Sequence, residues 1–156
     1  MMDVDDFKMI NDTQGHNVGD LVLSQTGAIL NEAVSGHGFA GRLGGDEFAL
    51  FAWGLGSRDE MREFVSKLRD NLKTIIFDME YSASIGVGVL DSERQLTFRD
   101  LYFEADQAVY AAKHHGKNQI VFYDDIDEKT VNETAEVIED PAEMTQDADE
   151  RAILTQ

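Results

Sequence analysis

The sequence predicts an α/β domain: an α+β sandwich whose central, mostly antiparallel five-stranded sheet is flanked by helices. Three observations predict it. Strand-like and helix-like periodicities alternate in the order strand, helix, hairpin, helix, strand, helix, strand, a mixture that packs as helices on a sheet. A lone strand leading through a helix to a hairpin fits a split βαβ core. Hydrophobic residues form 42% of the 156 residues, with nine Phe, four Tyr and one Trp to fill a core.

Met1 to Val4 supply the opening strand. It is short for a strand that should be central, so the natural chain is expected to start further upstream. Val18, Leu21, Val22, Ile29, Leu30 and Ala33 then recur at helical spacing over residues 18–33. Residues 38–53 read as a hairpin. Gly44-Gly45 supplies its tight turn, and the unbroken apolar run Leu50 to Trp53 suggests a strand buried on both faces. Ser57 and Glu60 fit a capping box, followed by the apolar stripe Met61, Phe64, Val65, Leu68 and Leu72. Residues 80–90 read as a strand. Thr97 and Asp100 start a last helix lined by Leu101, Ala105, Ala108, Val109 and Ala112, and residues 119–123 form the last strand.

Acidic residues number 31 and basic residues 13, a formal charge of −18. Such a surface repels nucleic acid and anionic membrane, though it admits a small anion accompanied by metal ions. Cysteine is absent, which excludes disulfides, thiolate metal sites and a cysteine nucleophile. No apolar run reaches the ~18–20 residues of a membrane span. The opening residues lack the pattern of a signal peptide. The expected location is the cytoplasm, alone or as the cytoplasmic part of a larger protein. Residues 124–156 hold twelve acidic residues against Lys129 and Arg151, and the only proline, Pro141. The expected organisation is a folded domain over 1–123 and an acidic tail or linker over 124–156.

Two acidic clusters can carry chemistry. One is Asp3-Val4-Asp5-Asp6 at the end of the opening strand; the other is Gly44-Gly45-Asp46-Glu47-Phe48 at the hairpin turn. Alternation puts Asp3 and Asp5 on one face and Val4 on the other. If the strand lies beside the hairpin, Asp3 and Asp46 meet, and the repulsion calls for a cation between them, Mg²⁺ by the all-oxygen ligand set. Two solvated turns in an acidic protein explain the same residues equally well. The loop NDTQGHNVGD offers Asn11 and Asp20 as readers of a base edge, with Gly15 and Gly19 permitting close backbone approach. Seen alone, it is also an ordinary Gly/Asn turn. Lys113 and Lys117 flank a helix-ending Gly116 and can neutralise phosphates or simply complement a helix dipole. His114-His115 has no third partner at metal spacing, and no P-loop, G-x-S-x-G or H-E-x-x-H motif occurs.

Taken in order, DVDDFKMINDTQGHNVGD, RLGGDEF, SASIGVG and ADQAVYAAKHHGKN resemble the GGDEF domain family, the diguanylate cyclases, over residues 1 to about 123. The resemblance implies a ferredoxin-like core similar to the nucleotidyl cyclase palm. It implies condensation of two GTP into cyclic di-GMP with release of two pyrophosphates, the 3′-hydroxyl of each nucleotide attacking the α-phosphate of the other between two facing domains. It further implies two Mg²⁺ (or Mn²⁺) ions per active site. By that resemblance Asp3, Asp46 and the Val4 carbonyl hold metal. Asn11 and Asp20 read guanine, with His16 in the same substrate loop. Lys8, Lys113 and Lys117 meet phosphates, and Gly44 and Gly45 form the turn under the nucleotide. Asp46 also stands as proton acceptor, with Glu47 beside it. The implied partners are GTP, a second GGDEF protomer and an adjacent sensor or phosphodiesterase domain.

The sequence departs from the family pattern in three places. The preceding D-x-L-T-G-L-x-N-R-like helix motif is missing. The R-x-x-D inhibitory site is replaced by Ser35 and Gly38, so no product inhibition is expected there. Lys117 stands where arginine is common and lacks its bidentate fork. A second reading is a catalytically silent GTP-binding module that regulates a neighbouring domain; a third is a cyclic di-GMP receptor, which the missing R-x-x-D disfavours.

Overall fold

The computed structural model describes residues 1–73, 75–76, 79–90 and 94–126. The chain runs β1 (Met2–Val4), α1 (Phe7–Gln14), α2 (His16–Ala33), β2 (Gly38–Gly44), β3 (Glu47–Ala52), α3 (Arg58–Leu72), β4 (Ile75–Ile76), β5 (Met79–Glu80), β6 (Ala83–Val87), α4 (Phe98–His114), β7 (Ile120–Phe122) and a 3-10 turn at Tyr123–Asp125. Five strands form one sheet in the order β2-β3-β1-β6-β7. β1 is antiparallel to both β3 and β6, and only β6 and β7 run parallel. This is the α+β arrangement with a split βαβ core that the alternating periodicities anticipate.

β1 is central although it has three residues, because both edges pair and all three side chains are buried. Val4 enters the main core with Met2, Val22, Leu30, Phe48, Leu68, Leu72 and Ile85, where α2 and α3 cover one face of the sheet. α4 covers the other face over β6 and β7. Gly86 makes that contact possible: a Cβ there would lie 2.2 Å from the Ala105 carbonyl oxygen and 2.3 Å from the Val109 nitrogen. The glycines of SASIGVG therefore let a helix backbone rest directly on a strand.

Several expectations are corrected. The segment read as the loop NDTQGHNVGD is two helices separated by Gly15 alone, whose φ of 87° breaks the run. The first helix escaped the periodicity because it is short and Ile10 is its only buried residue. Gly19 serves helix packing, since a Cβ there would fall 2.0 Å from the Asn11 Oδ1 and 3.2 Å from the Phe7 ring. The run Leu50 to Trp53 is not buried on both faces. Phe51 stacks on Phe39 at 5.5 Å, and both Phe39 and Trp53 are more than half exposed. The Ser57 hydroxyl does accept from the Glu60 N–H, but the Glu60 carboxylate turns to the Gly56 N–H, leaving the box half made. At α4 the Thr97–Asp100 box is complete. The strand expected over 80–90 is confined to Ala83–Val87, and the ribbon β4–β5 carried no periodic signal.

The expected tail beyond Ile126 lies outside the described residues. The 3-10 turn is held against α3: Arg58 stacks 3.8 Å over the Phe122 ring and pairs with Asp124 and Asp125, and Arg62 also reaches Asp125.

Candidate active site

The end of β1, the β2–β3 turn and the α4–β7 turn meet at one end of the sheet. Asp3 pairs across from Glu47, and the Val4 N–H donates to the Asp46 carbonyl at 3.2 Å. The Asp3 carboxylate is buried and lies 2.7 Å from the Lys113 ammonium. Desolvation pushes the Asp3 carboxyl up to about 6; Lys113 opposes the shift, and the Asp46 and Glu47 charges add to it. The structure thus brings Asp3, Asp46 and Glu47 into one electrostatic unit, with Lys113 reaching in from the last turn of α4.

The hairpin corner is built by backbone. Gly45 has φ 51°, a value suited to glycine, and the register shifts between Arg42 and Gly44. Arg42 Nε donates to the Gly45 carbonyl at 2.7 Å and braces the turn.

Asp5 and Asp6 fasten the other side. Asp5 is buried and accepts from the Ser82 and Ser84 hydroxyls, each at 2.6 Å, and from the Asn118 N–H at 2.9 Å. The Asp6 carboxylate lies 2.6 Å from the Lys117 ammonium. Gly116, Lys117 and Asn118 all have positive φ, so this turn is a strained left-handed run tied down by Asp5 and Asp6. Sequence reasoning gave Asp5, Asp6 and Arg42 no role. The readable signal for Asp5 was Ser82-x-Ser84, two hydroxyls on one face of a strand.

Asn11 is half-buried on α1, with its amide oxygen against Gly19. His16 and Asp20 lie exposed on the first turns of α2, and Lys8 is exposed on α1. Asp20, Leu23, Gly27, Ala40, Arg42 and Phe48 line a cleft of about 380 Å³ between α2 and the hairpin. That volume falls within the ~300–1,000 Å³ of small-molecule sites. Arg42 joins the cleft to the glycine corner. At Gly38 a Cβ would lie 2.2 Å from the Phe51 carbonyl oxygen, so no side chain fits that backbone.

The donor set suits a hard divalent cation. Its oxygen donors would be the Asp3 and Asp46 carboxylates, which interact electrostatically, and the Val4 carbonyl at the end of β1. Among the described residues no three His, Asp or Glu side chains cluster at ligating distance. The protein would therefore offer two carboxylates and backbone, leaving positions for water and phosphate oxygens, as Mg²⁺ prefers.

Fold and site together define a class: a ferredoxin-like α+β domain with paired acids and lysines at one end of its sheet and a small-molecule-sized cleft between α2 and the hairpin. The chain belongs to the family described as diguanylate cyclase, GGDEF domain, whose match spans residues 1–119. It is 32% identical to a probable diguanylate cyclase, DgcT, of Escherichia coli, over 80% of this chain and 28% of that protein. It is 30% identical to the bifunctional diguanylate cyclase/cyclic di-GMP phosphodiesterase MucR of Pseudomonas aeruginosa, over 89% of this chain and 21% of that protein. The chain thus spans less than a third of the length of these relatives. Its fold is similar to the active GGEEF domain of a diguanylate cyclase from Vibrio cholerae, with a TM-score of 0.69, 30% identity and coverage of 78% and 79% of the two chains. No helix among the described residues is long and apolar enough to cross a membrane.

Proposed function

We propose that this domain is a working diguanylate cyclase module that condenses two GTP into cyclic di-GMP and two pyrophosphates. The observation that carries the reading is buried Asp3, opposite Glu47 and within electrostatic reach of Asp46, with Lys113 at 2.7 Å, in a domain that also has a cleft of about 380 Å³ between α2 and the hairpin. Nucleotidyl transfer asks mainly for positioning and charge neutralisation. Two Mg²⁺ ions, when bound, supply neutralisation of the phosphates and acidify the attacking hydroxyl.

The remaining work falls to the chain. Asp3, Asp46 and the Val4 carbonyl would hold the metal ions. Asp20 and Asn11 accept from and donate to the guanine edge, with His16 exposed on the first turn of α2 nearby in sequence. A base of the wrong pattern leaves these groups unpaired at about 1–3 kcal/mol each. Gly44 and Gly45 let the nucleotide lie close to the hairpin. Lys8, Lys113 and Lys117 draw the triphosphate. In a pair of facing domains, each 3′-oxygen bonds to the opposite α-phosphorus as that phosphorus loses its bridge to pyrophosphate. Asp46, assisted by Glu47, receives the hydroxyl proton. The blocked backbone at Gly38 supports the absence of product inhibition through this strand.

The test is product analysis after incubating the full natural chain, in its dimeric form, with GTP and Mg²⁺. Cyclic di-GMP formation that Asp46→Asn abolishes is the expected result. GTP that binds without being consumed overturns catalysis and leaves the regulatory-module reading.

A further inference from the structure

Lys113 Nζ lies 2.7 Å from Asp3 Oδ2, in an ion pair whose carboxylate side is nine-tenths buried and whose lysine side is about two-fifths exposed. The negative neighbours of Asp3 are Asp46 and Glu47. A divalent cation bound to Asp3 would sit about 2.0–2.1 Å from a carboxylate oxygen. That location is within a few ångströms of the ammonium, in surroundings where like charges repel strongly. The lysine, by contrast, has a flexible four-carbon stem and an exposed flank, so it is free to swing.

We propose that Lys113 and the divalent cation compete for Asp3, and that nucleotide phosphates admit the cation by drawing Lys113 off that carboxylate. The proposal rests on reading Asp3 as a metal ligand and Lys113 as a phosphate contact. It adds that one lysine does both jobs in turn, which couples metal binding to nucleotide binding. By linkage the coupling is reciprocal: each ligand raises the affinity of the other. The cost of leaving three carboxylates without a dication is met by the lysine, so the cation enters with the triphosphate rather than ahead of it. Lys117 is placed differently: its ammonium pairs with Asp6 at 2.6 Å, and the direct ion pair to Asp3 is made by Lys113.

The test is a Mn²⁺ titration of the full chain, with free Mn²⁺ read by electron paramagnetic resonance, with and without a GTP analogue that cannot be cleaved between the α- and β-phosphorus. The wild type should bind Mn²⁺ weakly alone and more tightly with the analogue. Lys113→Met should bind Mn²⁺ alone about tenfold more tightly than the wild type and gain less from the analogue. Lys113→Arg keeps the charge and should stay near the wild type. The substitutions fall on a partly exposed side chain, and circular dichroism checks that the fold is kept. Nucleotide-free Mn²⁺ affinity of Lys113→Met within about twofold of the wild type overturns the competition. An Asp3→Asn protein that binds Mn²⁺ as well as the wild type removes its basis, the ligand role of Asp3. Neither result depends on turnover, so the assay for cyclic di-GMP judges the catalytic reading separately.

Discussion

Asp3 combines its proposed place as a metal ligand with an energetic liability. In the unfolded chain its carboxyl ionises near 3.8, and burial in the fold raises this to about 6. Between those values the folded protein binds more protons than the unfolded one, so stability falls as pH rises and the loss is complete above the folded value. The magnitude is on the order of 2–3 kcal/mol. Asp3→Asn cannot ionise, so in chelator it should be more stable than the wild type at pH 7 by on the order of 1–3 kcal/mol, with the difference vanishing below pH 4. Urea unfolding across that range checks this; a difference that does not change with pH would show that Asp3 is not desolvated as described. Asp5, two residues on, is buried and accepts from the Ser82 and Ser84 hydroxyls and the Asn118 N–H, so Asp5→Ala leaves three donors without a partner and should cost about 3 kcal/mol or more in the same assay. The spacing of Asp3 and Asp5 was legible in the sequence, since alternation alone puts them on one face. Their different fates were not, because they depend on Lys113, Ser84 and Asn118 arriving from remote parts of the chain.

The elements were legible where periodicity was long. α2, α3 and α4 each bury one stripe, and Thr97–Asp100 marks the start of α4. Periodicity failed at α1, with its single buried residue, and at the ribbon β4–β5, whose strands are two residues each. Periodicity also cannot tell an in-facing aromatic from an out-facing one on the hairpin: Phe51 stacks on exposed Phe39, and Trp53 is itself more than half exposed. The glycines were legible as a motif but not as contacts. Gly19→Ala forces the Asn11 amide away, while backbone there remains helical. The expected outcome is a loss of guanine binding larger than the loss of stability, about tenfold in GTP affinity against ~1 kcal/mol in unfolding. Calorimetric titration with the GTP analogue and a thermal melt separate the two. Gly86→Ala meets main chain of α4 rather than a movable side chain, so it should cost about 3 kcal/mol or more and fail first in the melt.

At the scale of the molecule, the antiparallel pairing of β1 with β3 and β6 sends Asp3 through Asp6, the Gly44–Asp46 corner and the Gly116–Asn118 turn to the same end of the sheet. The β3–α3 connection, the end of β7 and the Arg58–Asp124 and Arg58–Asp125 pairs lie at the other end. A four-residue Gly/Ser insertion between Gly54 and Leu55 should leave kcat within about twofold, at a small entropic cost. The same insertion between Gly44 and Gly45 should abolish cyclic di-GMP formation, and product analysis of the two proteins checks the contrast. This polarity has a consequence for how such a domain is reused. Tethers and cargo grafted at the pole remote from the carboxylates should leave the acid–lysine cluster in place, so natural variation in attached machinery should concentrate there while the opposite pole stays chemically invariant.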